Sequence, residues 1–388
     1  MTTEKINILF IHPYRQSVGP NFVLLHLLRY LSCVKYNFFV AMPATLLDNE
    51  ISAAGASIFH IPAMNMLPRS SSPIKIVRYL LLQMSTLVEI KKIVNQNDID
   101  IVHVSTTAYW PIGIISRFCR VKCVFHGQDL TSMTPKWAGR IGAFFLNLFA
   151  DKVVCVSQAV QSAWSAVGVR KNKLAVVLNG VNLDRFKPIS RDSLIKITDE
   201  LKLKGRWPIL GMIASFDPRK GHEYLVRASI VLKQKFPNIL FLLIGSSTTR
   251  EYVAHLEHLK TIIDDNALVD NFRFLGERTD IPQLINLCDL LIMPSETEAG
   301  PFVALEIQAC GKYLIASAVG GLPEYLDDGK TGFLVPAKSP QAIAEAVSRF
   351  FDANGMVPSI NTTGMEFVRR FQLHEQINKV ENIYRAIL

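Results

Sequence analysis

Two carboxylates eight residues apart, Glu298 and Glu306, lie in the densest cluster of chemistry-bearing residues in the chain, LLIMPSETEAGPFVALEIQACG over 290–311. The run predicts an apolar strand ending at Pro294-Ser295, a polar loop carrying Glu296, Glu298 and Gly300, and a helix that Pro301 starts, where a fixed φ and a missing N–H cost nothing. Gly311 then closes that helix. The amides of Phe302 and Val303 make such a helix start an anion site, suited to a phosphate or diphosphate. The spacing allows Glu298 and Glu306 to face one ligand, where carboxylates are poor partners for phosphate and good acceptors of sugar hydroxyls. A loop acid beside a surface helix acid is the plain structural alternative.

Other candidates are scattered. Lys220, in SFDPRKGHEYLVRA, combines a compact ammonium with a helix start, a pairing that can stabilise charge on a departing anion. A lysine in a charged turn is otherwise ordinarily solvent-facing. Gly19 followed by Pro20 permits close main-chain approach to a ligand and again suits a helix start. His126 ends a strand in VFHGQD, the position of an active-site residue or of a satisfied structural one, whereas His103 in DIVHVS reads as structural. Asn179-Gly180 is a turn signal.

Short Val/Ile/Leu-rich runs alternating with helical patterns must position these residues, and that alternation is the signature of a parallel sheet covered on both faces. INILFIH, NFFVAMP, DIVHVS, VKCVFHG, DKVVCVS and LAVVLNG form a first series; ILGMIAS, ILFLLIGS, NFRFLGE, LLIMPS, YLIAS and GFLVP form a second. The polar stretch 185–208 separates them. The prediction is an α/β protein with two doubly wound units: residues 1–189, residues 190–370, and a terminal amphipathic helix, 371–388, without catalytic signal. Ligands of such sheets bind beyond the carboxyl ends of the strands, so a cleft between the two units is expected.

A chain of 388 residues with 49% apolar and 19% charged residues is neither disordered nor fibrous. The candidate membrane stretch 141–150, itself broken by Asn147, falls short of the about 20 residues a spanning helix needs. The first residues, MTTEKINILF, offer no cleavable leader pattern, so export is not expected. The six scattered cysteines read as buried free thiols in a reducing compartment. Charge is uneven: residues 1–189 carry a net +11 and residues 190–388 a net −2, which suggests an anionic partner for the first half, solubility being the bland alternative. No RNA-binding module or aromatic-basic interleaving accompanies that charge, so no nucleic-acid partner is expected.

Together these segments resemble family 4 of the GT-B glycosyltransferases. Glu298 and Glu306 match its paired-glutamate signature, and LNGVNLDRFKP, GGLPEYLDDGKTGFLVP, VFHG and the ACG helix end follow its order of landmarks over nearly the whole chain. The resemblance implies two Rossmann-like domains facing a central cleft, a nucleotide-sugar donor held mainly by the C-terminal one, an acceptor bound mainly by the N-terminal one, and retention of anomeric configuration. It places Glu306 on the donor ribose, Glu298 on the donor sugar, Lys220 on the diphosphate, His126 near the transferred sugar, and Gly19 and Asn179 beside the donor. Two departures matter. The family's arginine five residues before the lysine is here Ser215, with Arg219 the nearest replacement, and its Gly-Phe-Gly-Leu is here Ala299-Gly300-Pro301-Phe302. Val18 also stands where the first loop usually has its leading glycine.

The implied function is sugar transfer from a UDP- or GDP-linked donor to a hydroxyl acceptor, in cell-surface polysaccharide or glycolipid assembly. Catalysis is assigned to His126, Lys220 and Glu298, and donor binding to Gly19, Asn179, Arg219, Lys220, Glu298, Phe302, Val303 and Glu306. No cofactor or metal is expected, because no Asp-x-Asp or histidine-rich cluster accompanies the diphosphate site. A sugar-nucleotide epimerase, a phosphorylase, and a non-catalytic nucleotide-sugar-binding protein are the alternatives. Basic and aromatic residues in 135–152 (Lys136, Arg140, Trp137, Phe144, Phe145, Phe149) and the segment 69–83 suggest a cytoplasmic protein docked on the anionic inner membrane face, taking a lipid-linked or glycan acceptor. The alternative is that these helices pack on their own sheet.

Overall fold

A computed structural model of the chain describes residues 4–14, 19–45, 47–64, 73–130, 136–355 and 359–388, without the side chains of 73–82, 191 and 354. The apolar runs become buried strands. β1 (Ile6–Ile11), β2 (Tyr36–Met42), β3 (Ser57–His60), β4 (Ile101–Val104), β5 (Lys122–Gly127), β6 (Lys152–Cys155) and β7 (Leu174–Val176) pair in the order β3-β2-β1-β4-β5-β6-β7. β8 (Ile209–Ile213), β9 (Leu240–Ile244), β10 (Phe272–Gly276), β11 (Leu290–Met293), β12 (Leu314–Ser317) and β13 (Phe333–Val335) form a second sheet, β10-β9-β8-β11-β12-β13. Every pairing in both sheets is parallel, as the continuous hydrophobic runs require. Only β3 had no counterpart among the expected strands: it is a four-residue edge strand, exposed at both ends, and so lacks an apolar run.

Both sheets reverse their order once, between β1 and β4 and between β8 and β11. The paired strands there lead on to opposite sides of the sheet, and doubly wound sheets bind ligands in the crevice beyond the carboxyl ends of such a pair. Lys220 follows β8 and Glu298 follows β11, so the topology delivers both to one switch point.

The two compact units are Met1–Asn179 with Leu373–Leu388, and Gly180–Gln372. This corrects the expected division at 189/190 and the separate terminal segment 371–388. Residues 181–189 are already bonded into the second unit: Val181 N–H donates to Phe371 O (2.8 Å), Ile189 N–H to Asn286 Oδ1 (3.0 Å), and Asn286 Nδ2 to Lys187 O (3.1 Å). The terminal helix, Leu373–Ile387, instead buries Tyr384 and Val380 completely in the first unit.

Of the six cysteines, Cys123, Cys155, Cys288 and Cys310 are buried as expected, while Cys33 is exposed and Cys119 half-buried. Among the described residues no helix is long and apolar enough to cross a membrane.

The helix Lys136–Phe149 sorts its residues by face. Gly139, Gly142, Ala143 and Leu146 are buried, and Phe145 stacks on Trp110 with ring centroids 3.9 Å apart. A Cβ on Gly113 would run into Phe149, which shows how closely this helix lies on its neighbour Ile112–Cys119. The opposite face exposes Trp137 (67%), Ile141, Phe144 (63%) and Leu148, a spacing that keeps one side of a helix in register. Phe145 and Phe149 thus pack inward, correcting their expected place on an outer face, whereas Trp137 and Phe144 occupy it. Lys136 and Arg140 are exposed on the same helix, and Phe118 is 75% exposed on the adjacent one. Of segment 69–83, residues 69–72 and the side chains of 73–82 lie outside the described residues.

Candidate active site

In the second unit, the chain leaves β8 into a short turn, Pro218–Lys220, and enters the helix His222–Lys235 through Gly221 at φ 78°. Asp217 caps the turn by accepting from Arg219 N–H (2.9 Å). Gly221 is required twice: its left-handed backbone strains an L side chain, and a Cβ would collide with Pro294 O. This close approach lays the Lys220 turn on the end of β11, where the acidic loop begins. Glu296 N–H donates to Arg219 O at 2.8 Å across that junction.

Three glutamates emerge from this region with different partners. Glu296 accepts from Tyr224 Oη and pairs with Lys338 (2.8 Å), which holds the loop in place. Glu298, 8% exposed, accepts from Lys220 Nζ at 2.7 Å and from Ser295 Oγ at 2.8 Å. Its main-chain oxygen accepts from Gly321 N–H (2.8 Å), so the GGLPEYL segment fixes the same loop. Glu306 is different. It lies on the helix Phe302–Ala309, and among the described residues no group donates a hydrogen bond to its carboxylate. Burial pushes its carboxyl up to about 7, against the opposing pull of Arg185. A half-buried acid without a donor is costly to ionise, and it is the group of this cluster that a ligand's hydroxyls would satisfy.

Pro301 does not begin the helix but stands at its cap with extended backbone (φ −77°, ψ 117°), one position earlier than expected. The helix opens on Phe302 and Val303, whose amides precede the first helical hydrogen bond. Gly311, at φ 70°, follows the helix end as predicted. Arg219 pairs with Asp217, which also accepts from Tyr252 Oη (3.1 Å). The side chain that could replace the missing cation at Ser215 is therefore tied to a carboxylate of its own turn.

Gly19, His126 and Asn179 belong to the first unit. Gly19 opens the helix Gly19–Tyr30, and a Cβ there would meet no atom within 4 Å, so packing does not explain the glycine; Val18 lies outside the described residues. Asn179 is buried where the chain leaves the unit and accepts from Gln376 Nε2 (3.3 Å) of the terminal helix. His126, fully buried near the end of β5, has Nδ1 3.2 Å from Nε2 of His103, whose Nδ1 lies 2.5 Å from Tyr384 Oη. Burial lowers the His126 pKa to about 3, and burial, followed by the neighbouring His126 ring, lowers that of His103 well below its ordinary value. Both are neutral imidazoles. At the switch point of this sheet, His12 bridges Ser105 Oγ and Asn21 Oδ1, each at 3.0 Å.

The sequence missed the supports rather than the central groups. Ser295 stood beside the acid and could have been read as its partner; Arg185 lay inside a recognised motif. Tyr384 carried no signal at all, being 281 positions from the histidine it touches. Among the described residues no three His, Cys, Asp or Glu side chains are grouped to hold a metal ion.

Two doubly wound units with a lysine-glutamate pair and an open acid at one switch point define a GT-B glycosyltransferase. The family described as "Glycosyl transferases group 1" matches residues 195–362, and "Glycosyltransferase Family 4" matches residues 20–185. The chain belongs to this glycosyltransferase family. It is similar to an uncharacterized glycosyltransferase of Methanocaldococcus jannaschii, 24% identical over 76% of this chain and 78% of that one. It is also 24% identical to the UDP-Gal:alpha-D-GlcNAc-diphosphoundecaprenol alpha-1,3-galactosyltransferase of Escherichia coli, over 79% of this chain and 80% of the other. Its match to the D-inositol 3-phosphate glycosyltransferase of Salinispora tropica, 28% identical over 55% of this chain, spans only 46% of that protein's length. The crystal structure of Anabaena HepE in complex with UDP shares the fold, with a TM-score of 0.82 over 98% of this chain and all of the other at 22% identity.

Proposed function

We propose that this glycosyltransferase moves a hexose from a UDP- or GDP-linked donor to a hydroxyl acceptor with retention of anomeric configuration. The observation that carries the reading is the arrangement after β8 and β11: a lysine ammonium held 2.7 Å from Glu298, with Glu306 on the adjoining helix left without a donor among the described residues. Glu306 accepts the ribose hydroxyls, the start of its helix and Lys220 meet the diphosphate, and Glu298 contacts the donor sugar. As charge grows on the leaving nucleotide, Lys220 exchanges part of its interaction with Glu298 for the phosphate oxygen, so its stabilisation rises in the transition state. Arg219 supplies the second positive charge by turning from Asp217. Helix start and cations serve in place of a divalent metal.

The proposed acceptor is a lipid-linked or membrane-presented glycan, met at the cytoplasmic face of the membrane during surface polysaccharide or glycolipid assembly. The exposed Trp137/Ile141/Phe144/Leu148 face with Lys136 and Arg140 supports this, as does the undecaprenol-linked acceptor in the name of the E. coli relative. The test is a panel of UDP- and GDP-sugars given to EDTA-treated enzyme, with the product's anomeric proton followed by NMR. One donor class should be consumed with its configuration kept. Inverted product would overturn retention, and activity restored only by Mg²⁺ or Mn²⁺ would overturn metal independence.

A further inference from the structure

The first unit holds a buried chain of three polar side chains. β4 and β5 pair His103 with Val124, so His126, two residues on, falls on the same sheet face as His103. Phe10, paired with His103 across β1 and β4, lies on that face too, its ring centroid 5.3 Å from the imidazole. The terminal helix Leu373–Ile387 covers the face and inserts Tyr384, whose ring meets His103 edge-on. All three polar side chains are almost completely buried, and His126 Nε2 has no hydrogen-bond partner among the described residues.

We infer that Tyr384, acting through His103, fixes His126 in the tautomer that carries its proton on Nε2, so that His126 meets its ligand as a hydrogen-bond donor. A neutral imidazole has one N–H and one lone pair, so the chain can run in only two directions. In the first, Tyr384 O–H donates to His103 Nδ1, His103 Nε2–H donates to His126 Nδ1, and His126 is left with Nε2–H. In the second, every bond reverses, and the phenolic hydrogen has no acceptor beneath the helix, where no other described oxygen or nitrogen bonds it. That direction leaves an unpaired O–H at one end and an unpaired lone pair at the other. The first leaves its one unpaired donor on His126, near the carboxyl end of β5, where a ligand oxygen can satisfy it. Phenol is also a stronger acid than the imidazole N–H, which favours O–H···N at the 2.5 Å contact.

His126 in this state cannot take a proton at Nε2. It can orient a sugar hydroxyl or an anionic oxygen by donating to it, and Tyr384 and His103 are positioning residues. This consequence rests on the active-site reading of His126 given above, whereas the tautomer is a property of the protein alone.

The two are separated by measuring them separately. In protein labelled with ¹⁵N histidine, two-bond nitrogen–proton correlations at neutral pH should show His103 and His126 both protonated on Nε2. A proton on Nδ1 of His126 would overturn the inference. Tyr384→Phe should leave both rings as tautomer mixtures, while Tyr36→Phe, which alters a neighbouring ring that bonds Glu381, should not. Unchanged tautomers in folded Tyr384→Phe would remove Tyr384 from the chain of control. His103→Gln, which can place an N–H near the position of Nε2, should hold His126 in place; His103→Leu should not. With a donor in hand, Tyr384→Phe and His103→Leu should lower kcat by roughly tenfold and His103→Gln by much less, the scale of one neutral hydrogen bond. Equal kcat in His103→Gln and His103→Leu would contradict the role in positioning.

Discussion

Lys220→Ala is expected to lower kcat by roughly 10²- to 10³-fold, the loss that follows removal of one preorganised donor to a developing anion. On the role proposed for Lys220 the change should act on turnover rather than on donor saturation, because the charge assigned to it is largest when the nucleotide departs. The variant also removes the cation from Glu298, whose side chain, 8% exposed, then keeps only the Ser295 hydroxyl as a partner among the described residues. A buried carboxylate stripped of its partner is destabilising in its own right. Pairing Lys220→Ala with Glu298→Gln relieves that second effect. The double variant should regain thermal stability and be at least as slow as the single one, since Glu298 also contacts the donor sugar in the proposed mechanism. Recovery of kcat together with stability would mean that Lys220 only neutralises Glu298.

The second large effect is expected at a lipid surface. Vesicles containing acidic lipid should bind the protein at low salt and release it as salt rises, since attraction of a base to such a surface contributes about 1 kcal/mol and is screened within a Debye length of about 8 Å at physiological ionic strength. Lys136→Glu with Arg140→Glu removes two attractions and adds two repulsions at exposed positions, so affinity should fall by at least roughly 30-fold. Trp137→Ser with Phe144→Ser should weaken the part of binding that salt does not touch, because both rings are mostly exposed in the protein alone. Neither pair is part of the buried face, so folding should be preserved. A protein that ignores acidic vesicles at low salt would point to a soluble acceptor.

The sheets were legible because a doubly wound fold writes each strand as an apolar run, and all strands but the edge strand β3 had one. The placement of the second unit's candidate site was legible for a related reason: Lys220, Glu298 and Glu306 each sit just beyond a strand or in the first turns of a helix, where local sequence determines position. What local sequence could not supply was partnership between distant segments. The Asp217 clasp on Arg219 follows from their spacing, yet the Tyr384–His103–His126 chain needs a helix from the far end of the sequence to return to the first sheet. The same return explains why the terminal helix was set apart when it belongs to the first unit. Phe145 and Phe149 were misplaced because composition alone does not tell the two aromatic faces of one helix apart.

The central claim is that Glu306 receives the nucleotide, and calorimetric titration of UDP and GDP tests it most directly. In the parent protein the Glu306 carboxyl, pushed up to about 7 by burial, is ionised above that pH and mostly protonated below it, so the preferred nucleotide should bind more tightly at pH 8 than at pH 6. Glu306→Ala should weaken binding at pH 8 by about 1.5 to 3 kcal/mol, the range for hydrogen bonds to a charged group, and should flatten the pH dependence. Nucleotide affinity that is unchanged in Glu306→Ala would contradict the account.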